Sequence, residues 1–473
     1  MNPLSLPWLE LAVVVPLAGA AVVGRMRNPY RAGRWCLAVT GTALGSAVLA
    51  WLGFYLGYEP AVRRSPLSLD ELSAPLVPAV ALLHFLTVLA TARTKAARVS
   101  FGWLLAGESA RLATFGVTNP WLLIGLLTAA TIPPYAELLQ RGKPTRVYVL
   151  HMALFVALLA GGWALVEAGS AVGGSALLLA AVLVRSGVVP AHLWVADLFE
   201  HASFATALLY VTPIAGAYAA VRLVLPIAPE WVLHSIGVAS LATAVYAAGM
   251  AVVQREARRF FAYLFLGHAS LVLVGLELVT PISLTGALCL WFSVMLSLGG
   301  LGLTLRALEA RFGRLSLDDF HGLYDHSPGL AVGFLLTGLA SVGFPGTLGF
   351  VSAELLVDGA VEANLLVGVL LILAAAVNGI AVVRAYVRLF TGTRHASAVS
   401  LAITTRERVA VLTLAAVILV GGLVPQPGVA TRHRAAEAVL KDREVQRTTM
   451  PGDGITALSG GRQPPEFARH SGG

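Results

Sequence analysis

The sequence predicts an all-α, polytopic membrane protein of about fourteen transmembrane helices, and three observations carry that prediction. The 473 residues are 57% hydrophobic and only 12% charged, with a mean hydropathy of +0.79, a balance foreign to soluble globular domains. Apolar windows of roughly twenty residues, enough to cross a hydrocarbon core, recur with little pause from Leu9 to Val424. Two of them, spans 7 and 12, are interrupted by proline and glycine at corresponding places in the chain. Such paired discontinuous helices point to two inverted repeats, here five helices each, spans 4–8 and 9–13.

Taken in order, residues 1–100 form an N-terminal three-helix segment with spans at Leu9 to Val23, Trp35 to Phe54 and Leu72 to Thr91. The first repeat, 101–226, holds Phe101 to Val117, Trp121 to Leu139, Val147 to Val166, Ser175 to Val189 and Phe204 to Leu225. Glu108 and Arg111 lie inside its opening span one helical turn apart, a spacing at which they can pair. The second repeat, 227–392, holds Trp231 to Val252, Phe260 to Val279, Ile282 to Leu303, Gly329 to Val351 and Leu365 to Arg384. Five is an odd number of crossings, so the second unit is upside down relative to the first. A C-terminal helix, Val409 to Val424, lies within 393–425. The polar tail, 426–473, is rich in Gly, Arg, Pro and Ser and predicts a largely disordered segment.

The formal charge of +8 follows topology rather than any nucleic-acid partner. Arg25 to Arg34, Arg93 to Arg98, Arg141 to Arg146, Arg255 to Arg259, Arg306 to Arg314 and Arg384 to Arg408 all follow odd-numbered spans. The positive-inside rule then places both termini outside the cytoplasm of a bacterial-type inner membrane. Arg63, Arg64, Arg432, Arg434 and Lys441 run against that trend. The first apolar run lacks a charged leader and a small-residue cleavage site, so no cleavable signal peptide is expected. Cys36 and Cys289 fall inside spans, which predicts neither a disulfide framework nor a metal site. With no C-x-x-C, phosphate loop or dinucleotide fingerprint, the chain is expected to carry no cofactor and to perform no covalent chemistry itself.

The two breaks concentrate the chemistry. In Ser175 to Ala202, Arg185 precedes Pro190 by five residues, and His192, Asp197, Glu200 and His201 follow. In Ser341 to Gly359, Gly343, Pro345, Gly346 and Gly349 precede Glu354. Proline removes a backbone donor and obstructs the preceding turn, and the groups it frees are tolerated only against protein or water. Charged side chains at such depth mark ion paths or structural pairs. Glu354 has no basic neighbour in sequence and is expected to be the main remaining titratable group. Arg185 is read as a structural cation bound to freed carbonyls, or as a fixed counter-charge for nearby carboxylates. His268 reads as a hydrogen-bonded core histidine or a proton carrier. Asp197, Glu200 and His201 are placed at the outer interface, with Asp197 capping the helix that restarts after the break.

The segment VRSGVVPAHLWVADLFEHASFATALLYV resembles the antiporter-like membrane subunits of respiratory complex I and of the Mrp cation/proton antiporters. Those subunits carry a lysine five residues before a proline, then an H-x-W-L-P-D-A stretch. Here Arg185 stands at the lysine, and His192, Trp194 and Asp197 follow. LSLDELSA at Leu67 to Ala74, REARRFFAYLFLGHASLVLVGL at Arg255 to Leu276, GFPGTLGFVSAELL at Gly343 to Leu356 and VRAYVRLFTG at Val383 to Gly392 resemble the family in its own order.

The resemblance also shows where this chain departs. The family's fifth-span glutamate falls on Thr128, seven residues before Tyr135, and its eighth-span lysine or histidine falls near Tyr210 or Ile214. The eleventh-span histidines and lysine fall on Leu290, Val294 and Leu298. Arg185 keeps the charge of the seventh-span lysine but, with a pKa above about 12, does not cycle its proton. The resemblance therefore implies a subunit of a larger membrane complex with a reduced or rerouted proton path. Its expected partners are complex I-like or Mrp-like subunits. The related inorganic-carbon uptake systems of bacteria imply an alternative, a zinc-containing carbonic-anhydrase-like partner, and a non-conducting scaffold is a third reading.

Overall fold

The computed structural model describes residues 6–58, 65–392 and 403–449. Arg63, Arg64 and Arg394 lie outside the described residues. Nineteen α-helices follow one another: α1 Trp8–Val23, α2 Pro29–Tyr55, α3 Leu76–Leu89, α4 Phe101–Gly116, α5 Pro120–Ala129, α6 Ile132–Gln140, α7 Arg146–Glu167, α8 Ala171–Ser186, α9 Leu193–His201, α10 Phe204–Val211, α11 Ala215–Ala219, α12 Glu230–Val253, α13 Ala257–Glu277, α14 Pro281–Phe312, α15 Pro328–Ser341, α16 Leu348–Ala363, α17 Leu365–Phe390, α18 Thr405–Leu423 and α19 Gln426–Thr449. Among the described residues there is no strand, only the isolated bridges of Leu67 with Val117 and Glu256 with Ser316. Among the described residues, eight helical stretches are long and apolar enough to cross a membrane, and α1, α3, α8 and α15 are shorter apolar helices.

Local chemistry sets the helix starts. Asn28 before Pro29, Asn119 before Pro120 and Thr280 before Pro281 each accept an amide of the first turn with their side-chain oxygen. A polar cap followed by proline at the first helical position satisfies one free amide and removes another. The predicted breaks are present: α8 gives way to α9 across residues 187–192, and α15 to α16 across 342–347. Gly187, at φ +70°, adopts a left-handed conformation that ends α8. Two further interruptions lie in spans expected to be continuous. One is at Ala130 and Thr131 between α5 and α6. The other is at Thr212 to Ile214, where Pro213 removes a donor and Ile214 turns left-handed at φ +47°.

The basic loops gather at one end of the bundle, where charge pairs tie the elements together. Arg258 on α13 holds both carboxylate oxygens of Glu309 on α14 at 2.7 and 2.8 Å and donates to the Phe199 and Ala202 carbonyls. Arg311 on α14 holds Glu407 on α18 at 2.6 and 2.9 Å, and Glu407 completes a capping box with Thr404. Arg306 reaches α3 through the Thr87 carbonyl and the Thr91 hydroxyl.

The opposite end is closed by α19, which corrects the expectation of a largely disordered tail. Residues 426–449 form a helix bent 80° from α18, and the rest of the tail lies outside the described residues. Its own Ala435, Ala436 and Val439 are buried against the rest of the bundle. Arg432 donates to the Glu71 and Leu72 carbonyls at 2.6 and 3.0 Å, Arg434 lies 3.5 Å from Glu71, and Arg443 donates to the Leu225 carbonyl. Composition gave no sign of this, because the helix is held by arginines donating to carbonyls rather than by a wide apolar face. Arg432 and Arg434 ran against the topology trend because they are fastenings.

Candidate functional site

Arg185 occupies the last turn of α8, almost fully buried. It donates to the Tyr210 carbonyl at 3.1 Å. That carbonyl is free because Ile214, whose amide would have reached it in a continuous helix, bonds instead to the Val211 carbonyl. The guanidinium lies 4.2 Å from the Tyr210 ring centre and 5.4 Å from that of Trp194. Tyr148, Trp194 and Tyr210 pack mutually at 5.9 to 6.3 Å, forming a cage whose ring faces attract the cation. Trp194 in turn donates to the Val184 carbonyl, which also accepts the Gly187 amide at the end of α8.

A second guanidinium shares the Tyr210 ring. Arg111 of α4 lies 5.8 Å from its centre and bonds at 3.1 Å to Nε2 of His84 on α3. The other ring nitrogen of His84, Nδ1, donates to the Val80 carbonyl at 2.8 Å, so Nε2 carries the accepting lone pair. The expected Glu108–Arg111 pair is not formed. Glu108 is fully buried one turn before Arg111, and neither of its oxygens has a hydrogen-bond partner. Arg111 has turned away to His84 because the imidazole offers an acceptor on the neighbouring helix. Thr128, at the family's acid position, spends its hydroxyl on the Ile124 carbonyl of its own helix.

The remaining candidates are dispersed. His192 lies in the α8–α9 turn beside the rings of Tyr246 and Tyr263, its Nδ1 buried without a partner. Asp197 does not cap the restarting helix. It sits within α9, 3.2 Å from His201, while His192 takes the capping position without a side-chain bond. Glu200 and His201 lie at the end where the basic loops gather: Glu200 is held by Arg259 at 2.6 Å, and His201 lines a cavity with Arg141 and Arg258. Arg259 holds the Glu200 carboxyl below its ordinary range by hydrogen bonding.

In the second half, His268 on α13 is buried and donates from Nδ1 to the Leu264 carbonyl at 2.7 Å. Leu290, Val294 and Leu298 on α14 are buried among apolar neighbours. Asn378 on α17 adjoins Gly267 and has both amide atoms buried and unbonded, as are the hydroxyls of Ser270 and Ser293. Glu354 joins none of these groups. It is exposed on α16, whose buried face is Leu348, Gly349, Ser352, Leu356, Gly359 and Ala360, and Phe350, Asp358 and Glu362 share its outward side. Sequence reasoning missed His84 and Asn378, single polar residues on apolar helices. It also missed Glu137, which is buried and accepts from the Ser203 amide and the Ser203 and Thr206 hydroxyls at the start of α10. The Ser-x-x-Thr cap of that helix was the one visible sign.

Both broken spans fall within one recognised stretch. The family described as NADH:quinone oxidoreductase/Mrp antiporter, TM, matches residues 156–378. Over that stretch the chain is similar to this antiporter-like membrane subunit family. Among its relatives, NAD(P)H-quinone oxidoreductase chain 4 of Synechococcus sp. (strain WH7803) is 25% identical over 76% of this chain and 73% of its own length. NADH-quinone oxidoreductase subunit N of Rhodococcus opacus (strain B4) is 27% identical over 71% of this chain and 59% of its own. Solved antiporter-like subunits share the fold. A chain of the Mrp complex from Dietzia sp. DQ12-45-1b superposes with TM-score 0.81 at 20% identity, covering 95% of this chain and all (100%) of that one. A chain of respiratory complex I from Thermus thermophilus gives 0.80 at 23% identity over 92% and 99%.

Proposed function

We propose that this chain is the proton-conducting subunit of a larger membrane complex, coupling proton-motive force to its partners through a rerouted path. The observation that carries this reading is Glu108, a fully buried carboxyl with no hydrogen-bond partner, one helical turn from a cation bonded elsewhere. A buried carboxylate without donors is too costly to persist, so Glu108 alternates between a protonated form and an ionised form paired with Arg111. Arg111 then has two settings: bonded to His84 when Glu108 carries the proton, and swung to Glu108 when it does not. Glu108 and His84 thereby take the place of the acid that Thr128 lacks. Arg185 stays fixed in its cage as a permanent positive charge across the Tyr210 ring from Arg111.

In this reading the bundle crosses the inner membrane about fourteen times as two inverted five-helix units, with its basic end in the cytoplasm. Glu354, Asp358 and Glu362 face outward on α16. Carboxylates on a span's outer face call for a partner's polar surface, which supports a place within a complex. The apolar Leu290, Val294 and Leu298 favour a second reading, a scaffold that conducts nothing. The test uses the complex purified through a tag on this chain and sealed into liposomes holding a pH dye. Proton uptake under an imposed potential should fall at least tenfold in Glu108→Gln, with the same partners retained. Uptake at the wild-type rate in that variant would sink the Glu108 path, and no uptake by the wild-type complex would select the scaffold.

A further inference from the structure

Between the loops at the basic end lies a cavity of about 240 Å³, bounded by the turn at Arg93–Arg98, the α6–α7 link, the start of α10 and the facing ends of α13 and α14. Seven lysine and arginine side chains line it against one carboxylate, Glu309. That carboxylate is spent, since Arg258 holds both of its oxygens. Arg306 is committed to Thr87 and Thr91, and Arg314 to the Glu200 carbonyl and, at 3.5 Å, Glu256. The rest of the charge has no such outlet. Lys95, Arg98 and Lys143 have no side-chain partner among the described residues. Arg141 donates to the Arg98 carbonyl and lies 3.9 Å from Glu137, yet its Nε is buried and unbonded. Like charges gathered around a concave, partly desolvated space repel one another unless a counter-ion enters.

We infer that this cavity binds a phosphate-type oxyanion, free or carried as the headgroup of an anionic lipid. Guanidinium forks match phosphate oxygens two at a time, and the committed arginines leave Arg98, Arg141, Lys95 and Lys143 as the groups that close on it. Basic pockets between membrane helices are where anionic headgroups lodge. The site is independent of the proton path, because none of these four side chains belongs to the Glu108 cluster.

The full chain in nanodiscs of neutral phosphatidylcholine tests this by thermal unfolding with inorganic phosphate against chloride at matched ionic strength. A second arm replaces part of the lipid with phosphatidylglycerol and reads retained lipid by native mass spectrometry. Phosphate or phosphatidylglycerol should raise the unfolding midpoint by about 3 °C or more, as ligand linkage requires. A rise with phosphate assigns a free oxyanion, and a rise with retained lipid alone assigns a headgroup. In Lys95→Gln/Arg98→Gln/Lys143→Gln the rise should vanish, while the midpoint without added anion should increase because repulsion is relieved. Arg98→Gln alone, an exposed change, gives a smaller loss of the same kind if the triple variant does not accumulate. No rise in either arm, or an equal rise in the variants, overturns the inference.

Discussion

Tyr210 contributes through its ring, not its hydroxyl. The ring lies under Arg185 and beside Arg111, whereas the hydroxyl meets the Met152 sulfur at 3.1 Å and the side chain of Tyr148, neither of them charged. Tyr210→Phe should therefore unfold within about 0.5 kcal/mol of wild type, and Tyr210→Leu should lose about 2 kcal/mol or more, the scale of a desolvated cation–ring contact. Thermal melts of the two variants decide it, and a Phe variant as weak as the Leu one would assign the role to the hydroxyl. Arg185 was legible in the sequence as a lone charge before a proline. Its partner was not, because the carbonyl it holds is freed by Pro213 in another span. Glu354 shows a different limit: it was read as a lone carboxyl after a break, although Asp358 and Glu362 follow at four-residue intervals and mark one polar, outward face of α16.

At the scale of elements, α14 and α16 cross closely enough that glycine is required at the contact. A Cβ at Gly286 would lie 2.6 Å from the Leu356 amide, and one at Gly359 would strike Ser283. Small residues let membrane helices approach without a hydrophobic drive between them. Gly286→Val should force the pair apart and lower stability by about 1–3 kcal/mol, the range for overpacking, read as a lower unfolding midpoint and reduced yield. An unchanged midpoint would mean the crossing gives way freely. The breaks at Pro190 and at Gly343 to Gly349 were legible because proline and clustered glycine are local signals. The left-handed turn at Ile214 was not, since no residue preference marks a β-branched side chain for that conformation.

At the scale of the whole molecule, the end closed by α19 holds a carboxyl whose pairing is sensitive to acid. Burial alone would raise the Asp70 carboxyl, but the Arg222 guanidinium at 2.6 Å and the Ser73 amide hold it below its ordinary 3.8. A carboxyl lowered on folding adds stability that is complete above its unfolded value and is lost as pH falls through the lower folded one. Asp70 is partly exposed, so solvent screens the pair and the gain is modest. Hydrogen exchange in 66–75 and α19 should accelerate below about pH 4 in the wild type and already be fast at neutral pH in Asp70→Asn. An identical pH profile in the two would remove Asp70 from this account.

The helix α19 also imposes an order on biosynthesis. Arg432 bonds to Leu72 across 360 positions of sequence, and α19 leaves the ribosome after every helix it pins. Until then the Glu71 and Leu72 carbonyls and the Leu225 carbonyl have no arginine to meet them. The start of α3 and the chain at Leu225 must wait, unlatched, until the seven helices α12 to α18 have been made. A nascent chain stalled before Gln426 should thus be open to protease on that face and closed on the other.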